Sequence, residues 1–208
     1  MPPTFETAFA RCPLVAILRG IRPEEAVAIG SALVEAGFTL IEVPLNSPEP
    51  LDSIGRLAAA FAEQAVVGAG TVVRPAEVAA VHARGARLIV SPHCDPAVIA
   101  AARRRRMTVV PGAFTPTETF AALAAGADAV KLFPAEVLTP TGVKAMTAVL
   151  PPGTRLLPVG GIEAGNIAAY RRAGAAGFGL GSSLYRPGDT PETVARKARD
   201  LLAAWGAA

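Results

Sequence analysis

The sequence predicts an α/β protein folded as a (β/α)8 TIM barrel, one domain over residues 1–208, with a short helix ahead of the first strand. Three observations predict it. Apolar runs of four to six residues recur eight times, their starts 21 to 27 residues apart. These runs show little polar alternation, as expected of strands covered on both faces. Each is followed by a loop, often carrying Pro, and an Ala-rich segment often closed by Gly. That is room for one helix returning the chain to a parallel neighbour. Eight such units close most naturally into a barrel near the small end of its size range. The rival, an open doubly wound sheet, usually has fewer strands, and no Gly-x-Gly-x-x-Gly turn follows the first strand.

In chain order, residues 4–11 form the leading helix. Strands are expected at Leu14–Arg19, Leu40–Leu45, Ala65–Gly70, Arg87–Ser91, Thr108–Pro111, Ala129–Phe133, Leu156–Val159 and Gly177–Gly181. Pro23, followed by Glu24 and Glu25, suits a helical first turn, because proline presets φ and acids complement the helix dipole there. Gly37 suits the left-handed residue after the same helix, and Gly85, Gly126 and Gly174 repeat that ending. Pro48, Pro75, Pro96 and Pro116 are expected to open further helices.

Composition excludes several classes of function. Formal net charge is only +3, and the basic residues are scattered apart from Arg103 to Arg106 at the end of a predicted helix. Cations there suit the helix dipole. None of the eleven aromatics interleaves with that run, so the footprint of a nucleic-acid surface is missing. No apolar run approaches the ~20 residues of a membrane span. Two cysteines, Cys12 and Cys94, make no disulfide framework and suggest a reducing compartment. The first residues lack the pattern of a signal peptide, so a cytoplasmic protein is expected.

Chemistry concentrates at the strand ends, where a parallel barrel places its site. Lys131 lies in the middle of the apolar run Ala129–Phe133, and the chain has only two other lysines, Lys144 and Lys197. Burial disfavours the ammonium form, and a neutral amine is what attacks a carbonyl. The plain alternative is a lysine snorkelling to water at the barrel end. Side chains alternate along a strand, so parity sorts the barrel interior from the helix-facing side. Ile41 and Val43 then face helices while Glu42, Pro44 and Asn46 point inward. Val130 and Leu132 face helices while Lys131 and Phe133 point inward, and Arg19 shares the inward side with Val15 and Ile17. Glu42, Lys131 and Arg19 converge on one cavity, as catalytic groups or as a structural Glu42–Lys131 salt bridge.

Gly160-Gly161 and Gly179-Leu180-Gly181-Ser182 end the last two strands, where barrels often bind phosphate. Glycines let backbone N–H groups approach an anion, and Ser182 adds a hydroxyl. His93 and Cys94 are adjacent, but no further His or Cys has metal-ligand spacing, so no metal is expected.

Together these motifs resemble a known family. Leu18-Arg19-Gly20-Ile21, Glu42-Val43-Pro44-Leu45-Asn46-Ser47-Pro48, Gly68-Ala69-Gly70-Thr71-Val72, Ser91-Pro92, Lys131-Leu132-Phe133-Pro134-Ala135, Gly160-Gly161 and Gly179-Leu180-Gly181-Ser182 are similar to the class I 2-keto-3-deoxy-6-phosphogluconate/4-hydroxy-2-oxoglutarate aldolases. The likeness runs from about Pro13 to Arg186. Gluconate-type members usually carry Thr-Leu-Arg-Thr where this chain reads Pro44-Leu45-Asn46-Ser47. That segment, with Leu184-Tyr185-Arg186-Pro187-Gly188, looks like the galactonate-type branch. The resemblance implies reversible cleavage of 2-dehydro-3-deoxy-6-phosphogalactonate to pyruvate and glyceraldehyde 3-phosphate. The alternatives are the gluconate epimer, 4-hydroxy-2-oxoglutarate, or a phosphate-binding barrel that is no aldolase. It implies Lys131 as Schiff-base lysine and Glu42 as general acid and base. Arg19 then clamps the carboxylate, since Asn46 brings no charge, and Thr71, Pro92 and Phe133 line the pyruvate end. Gly160, Gly161, Gly181 and Ser182 hold the phosphate. No cofactor is implied, because the iminium is the electron sink, and the family's homotrimer is carried over.

Overall fold

The structure, a computed structural model, describes residues 2–207. It begins with α1 (Phe5–Arg11), capped by Thr4, whose side chain accepts a hydrogen bond from the Thr7 amide. Strands and helices then alternate. They are β1 (Leu14–Ile17), α2 (Pro23–Ala36), β2 (Leu40–Pro44), α3 (Pro50–Ala60), β3 (Val66–Gly70), α4 (Pro75–His82), β4 (Leu88–Val90), α5 (Pro96–Arg104), β5 (Thr108–Val110) and β6 (Gly112–Ala113). After these come α6 (Pro116–Ala124), β7 (Val130–Leu132), α7 (Ala135–Thr147), β8 (Leu156–Pro158), α8 (Ile167–Arg172), β9 (Phe178–Leu180) and α9 (Pro191–Gly206).

Each of the eight expected strands is present, trimmed by a residue or two at its ends. The punctuation follows the sequence, with Pro23, Pro75, Pro96 and Pro116 opening helices and Gly37, Gly85, Gly126 and Gly174 at positive φ after them. Pro48 is the exception. The third helix opens at Pro50 instead, because Glu49 turns the chain through φ 39° immediately before it.

All pairings are parallel. One sheet has the order β5-β4-β3-β2-β1-β9 and forms a half-barrel; a second has the order β6-β7-β8. The expected barrel of eight continuous strands is therefore seen as two sheets. The physical reason lies at Pro111, the last residue of the fifth expected strand, which has no N–H to donate and separates β5 from β6, a pair of strand residues beyond the expected end. On the other side a single bridge, Val159 to Gly179, joins the end of β8 to β9.

Strand parity separates two cores. Ile41, Val43, Val130, Leu132, Leu14 and Ala16 belong to a large cluster packed against the helices. Val15, Leu40, Val66, Leu88, Val110 and Leu157 form a smaller cluster on the other face of the strands, and Phe5 and Ala8 of α1 join it. The leading helix thus seals the inner core at one end. Thr39 donates from Oγ1 to the Ala8 carbonyl at 2.7 Å, and the Arg155 guanidinium stacks over Phe5 and Phe9 while pairing with Glu6 at 2.6 Å. Among the described residues no helix is long and apolar enough to cross a membrane.

Candidate active site

Lys131 is the central residue of β7 and only 6% exposed. Its neighbours Val130 and Leu132 pack outward, which turns the lysine inward. Burial is the largest influence on its amine and holds the pKa below the ordinary lysine value. Glu42 opposes that shift and Arg19 adds to it. The amine lies 4.6 Å from the centroid of the Phe133 ring.

Glu42, in β2, is 2% exposed. Removal from water is again the largest effect and pushes its carboxyl up to about 7, against the pull of Lys131 and Arg19. Its Oε2 is buried with no hydrogen-bond partner, and among the described residues no ion pair joins Glu42 to Lys131. The salt bridge held open by the sequence is not formed. A carboxyl near neutrality and a weakened amine share one small cavity walled by Val15, Ile17, Val90 and Val110. Burial moves the carboxyl up and the amine down, toward each other, as a proton-transfer pair requires.

Gly70 makes room for Glu42. A Cβ on Gly70 would overlap all three atoms of the Glu42 carboxylate group. Gly70→Ala is expected to push the carboxylate aside and to destabilise the protein by ~1–3 kcal/mol. Denaturant titration checks this, and unchanged stability would mean that Glu42 can move freely.

Above this cavity a pocket of about 150 Å³ brings Lys131, Arg19 and Phe133 together with Gly160, Gly161, Gly181 and Ser182. Gly160 and Gly161 have φ of 103° and 65°, left-handed values that a side chain would strain. After Gly181 the chain turns at once, with Leu184 and Tyr185 both donating their amides to the Gly181 carbonyl. This is a cradle suited to an anion.

Two expected residues fall outside that lining. Thr71 and Pro92 follow β3 and β4, and neither shares the pocket with Phe133. Thr71 holds φ of 56°, uncommon for a residue with a β-branched side chain. The sequence reading missed Ser183. Its hydroxyl is buried without a hydrogen-bond partner and lines the pocket beside Ser182. The Ser-Ser doublet after Gly181 was the available signal. His93 and Cys94 gather no further donors: among the described residues no group of three or more His, Cys, Asp or Glu side chains could hold a metal.

The chain is similar to known proteins over nearly its whole length. The chain is 49% identical to the probable 2-dehydro-3-deoxy-6-phosphogalactonate aldolase of Rhizobium meliloti (strain 1021), over 94% of this chain and 92% of that one. It is 45% identical to the 2-dehydro-3-deoxy-6-phosphogalactonate aldolase of Escherichia coli (strain K12), over 94% and 95%. A solved structure described as native KDPGal superposes with a TM-score of 0.93 at 45% identity, covering 95% of this chain and 96% of that one. Family model and relatives define a carbon–carbon lyase of the aldolase class. The chain belongs to the KDPG and KHG aldolase family, whose model, described as "Aldolase: KDPG and KHG aldolase", matches residues 5–192.

Proposed function

We propose that this protein is a class I aldolase that reversibly cleaves 2-dehydro-3-deoxy-6-phosphogalactonate to pyruvate and D-glyceraldehyde 3-phosphate. The observation that carries the reading is the inward lysine of β7, its basicity lowered by burial, facing a protonatable Glu42 beneath glycine-lined loops. The names of the two relatives support the galactonate substrate.

The neutral Lys131 amine attacks the C2 ketone to give a carbinolamine, which loses water to form an iminium. Glu42 supplies and removes the protons of these steps and takes the proton of the C4 hydroxyl. As C3–C4 breaks, its electron pair flows into the iminium and leaves an enamine on Lys131, while C4 departs as the aldehyde of glyceraldehyde 3-phosphate. Protonation at C3 and hydrolysis release pyruvate and restore the amine. Arg19 grips the substrate carboxylate, and Phe133 flanks the amine at the pyruvate end, toward which Thr71 and Pro92 contribute from the loops after β3 and β4. Gly160, Gly161, Gly181 and Ser182 hold the phosphate, joined by Ser183. The chemistry calls for no cofactor or metal.

The same proposal takes residues 1–208 as one closed (β/α)8 barrel, with β5 and β6 a single strand interrupted at Pro111 and the Val159–Gly179 bridge closing the ring. It places the enzyme in the cytoplasm as a homotrimer.

Borohydride reduction in the presence of pyruvate, followed by peptide mass spectrometry, tests the covalent step. The expected result is a stable adduct on Lys131. An adduct on Lys144 or Lys197 would overturn the assignment; the first lies in α7, the second in α9, where it pairs with Asp189 at 2.6 Å. Assay of both epimers tests the substrate, and faster cleavage of the gluconate epimer would reverse the order of preference.

A further inference from the structure

We infer that Asn46 is the positioning residue for Arg19, a neutral acceptor that holds the guanidinium in place without cancelling its charge. The inference rests on the aldolase reading and names how one part of that site is built.

Two neighbouring loops are stapled at consecutive residues. Arg19 donates from Nη1 to the Asn46 Oδ1 at 2.7 Å, and the Gly20 amide donates to the Ser47 Oγ at 2.9 Å. Arg19–Gly20 follows β1 and Asn46–Ser47 follows β2, so the staple links two adjacent strand ends at the mouth. Ser47 is buried, which fixes the second rung; the Arg19–Asn46 rung is exposed at the pocket edge.

The chemistry of the first rung is selective. A guanidinium has five N–H donors, and the amide oxygen of Asn46 occupies one. The others remain for a planar anion, which arginine can hold by two parallel bonds. Among the described residues Arg19 forms no ion pair, so its charge is not spent on a neighbour, and it lines the pocket with Lys131. A carboxylate at position 46 could accept the same hydrogen bond but would neutralise Arg19. An apolar residue would leave the charge intact but free a long side chain, whose ordering would then be charged against binding. A neutral acceptor avoids both losses.

The test compares the unsubstituted protein with Asn46→Ala and Asn46→Asp. The measurements are the pyruvate concentration that half-saturates borohydride trapping on Lys131, and KM for pyruvate and for glyceraldehyde 3-phosphate in the condensation direction. Loss of one hydrogen bond predicts about a tenfold rise in half-saturating pyruvate for Asn46→Ala. Asn46→Asp is expected to be worse, although it can keep the staple. KM for glyceraldehyde 3-phosphate stays within about twofold, and trapping of the uncharged analogue pyruvamide is unaffected by either change.

Pyruvate saturation in Asn46→Asp equal to that of the unsubstituted protein would show that only the loop staple matters, and would overturn the inference. So would an unchanged value in Asn46→Ala, or a KM rise confined to glyceraldehyde 3-phosphate. Absence of trapping in the unsubstituted protein is a separate result, since it would overturn the Schiff-base reading itself.

Discussion

Lys131→Ala is expected to abolish cleavage while leaving a folded protein. Without the amine no iminium forms, and the electron pair of the C3–C4 bond has nowhere to go. The fall should be about 10⁶-fold or more, the lower end of typical enzymatic accelerations. The fold should survive because the lysine costs as much as it contributes. Its stem packs in the inner cavity, but its amine must leave water and has no ion-pair partner among the described residues. Once the lysine is gone, Glu42 can remain protonated and uncharged at neutral pH, so no buried charge is stranded. Lys131→Arg should be equally inactive, because a guanidinium keeps its proton and cannot act as the nucleophile. A coupled assay for glyceraldehyde 3-phosphate measures the loss, and thermal melting followed by circular dichroism measures the fold. Turnover near the native rate in either variant would end the Schiff-base proposal.

The sequence shows the strand frame clearly because parallel strands covered on both faces are apolar almost throughout, and glycine and proline mark the helix ends. Parity carried further. Inward placement of Glu42 and Lys131 could be read from Ile41, Val43, Val130 and Leu132 alone, since a period of two leaves no other choice. Three features stayed hidden for physical reasons. Pro111 looks like the end of a strand in sequence, but whether a missing donor divides a strand depends on what lies beside it. The Gly70 requirement belongs to a contact with Glu42 across two strands, which no local pattern encodes. The Arg19–Asn46 hydrogen bond spans 27 residues and depends on loop geometry after β1 and β2. Motif resemblance also groups Thr71 and Pro92 with Phe133; of these three, Phe133 lines the pocket that holds Lys131.

Glu42→Gln separates proton transfer from binding, and its effects on rate and stability have opposite signs. The amide occupies nearly the same volume beside Gly70 but can neither accept nor return a proton, so the rate should fall by roughly 10² to 10⁴. In the native enzyme the carboxylate form of Glu42 takes the C4 hydroxyl proton. Cleavage should therefore rise with pH through about 7, and that inflection should be missing in the variant. Stability runs the other way. Burial raises the folded-state pKa of Glu42 from 4.5 to about 7, so the folded protein holds a proton there that the unfolded chain has lost. The stability this gives is complete below about 4.5 and disappears as pH rises through 7, where a charged carboxylate must stay buried. Glutamine never takes on that charge. The variant should match the native protein near pH 4.5 and exceed its stability above pH 7 by up to about 3 kcal/mol. Denaturant titrations at intervals between pH 5 and 8 measure the divergence. Parallel stability curves would mean that Glu42 ionises at an ordinary carboxylate pH, and a rate within a few-fold of native would reduce it to a structural role.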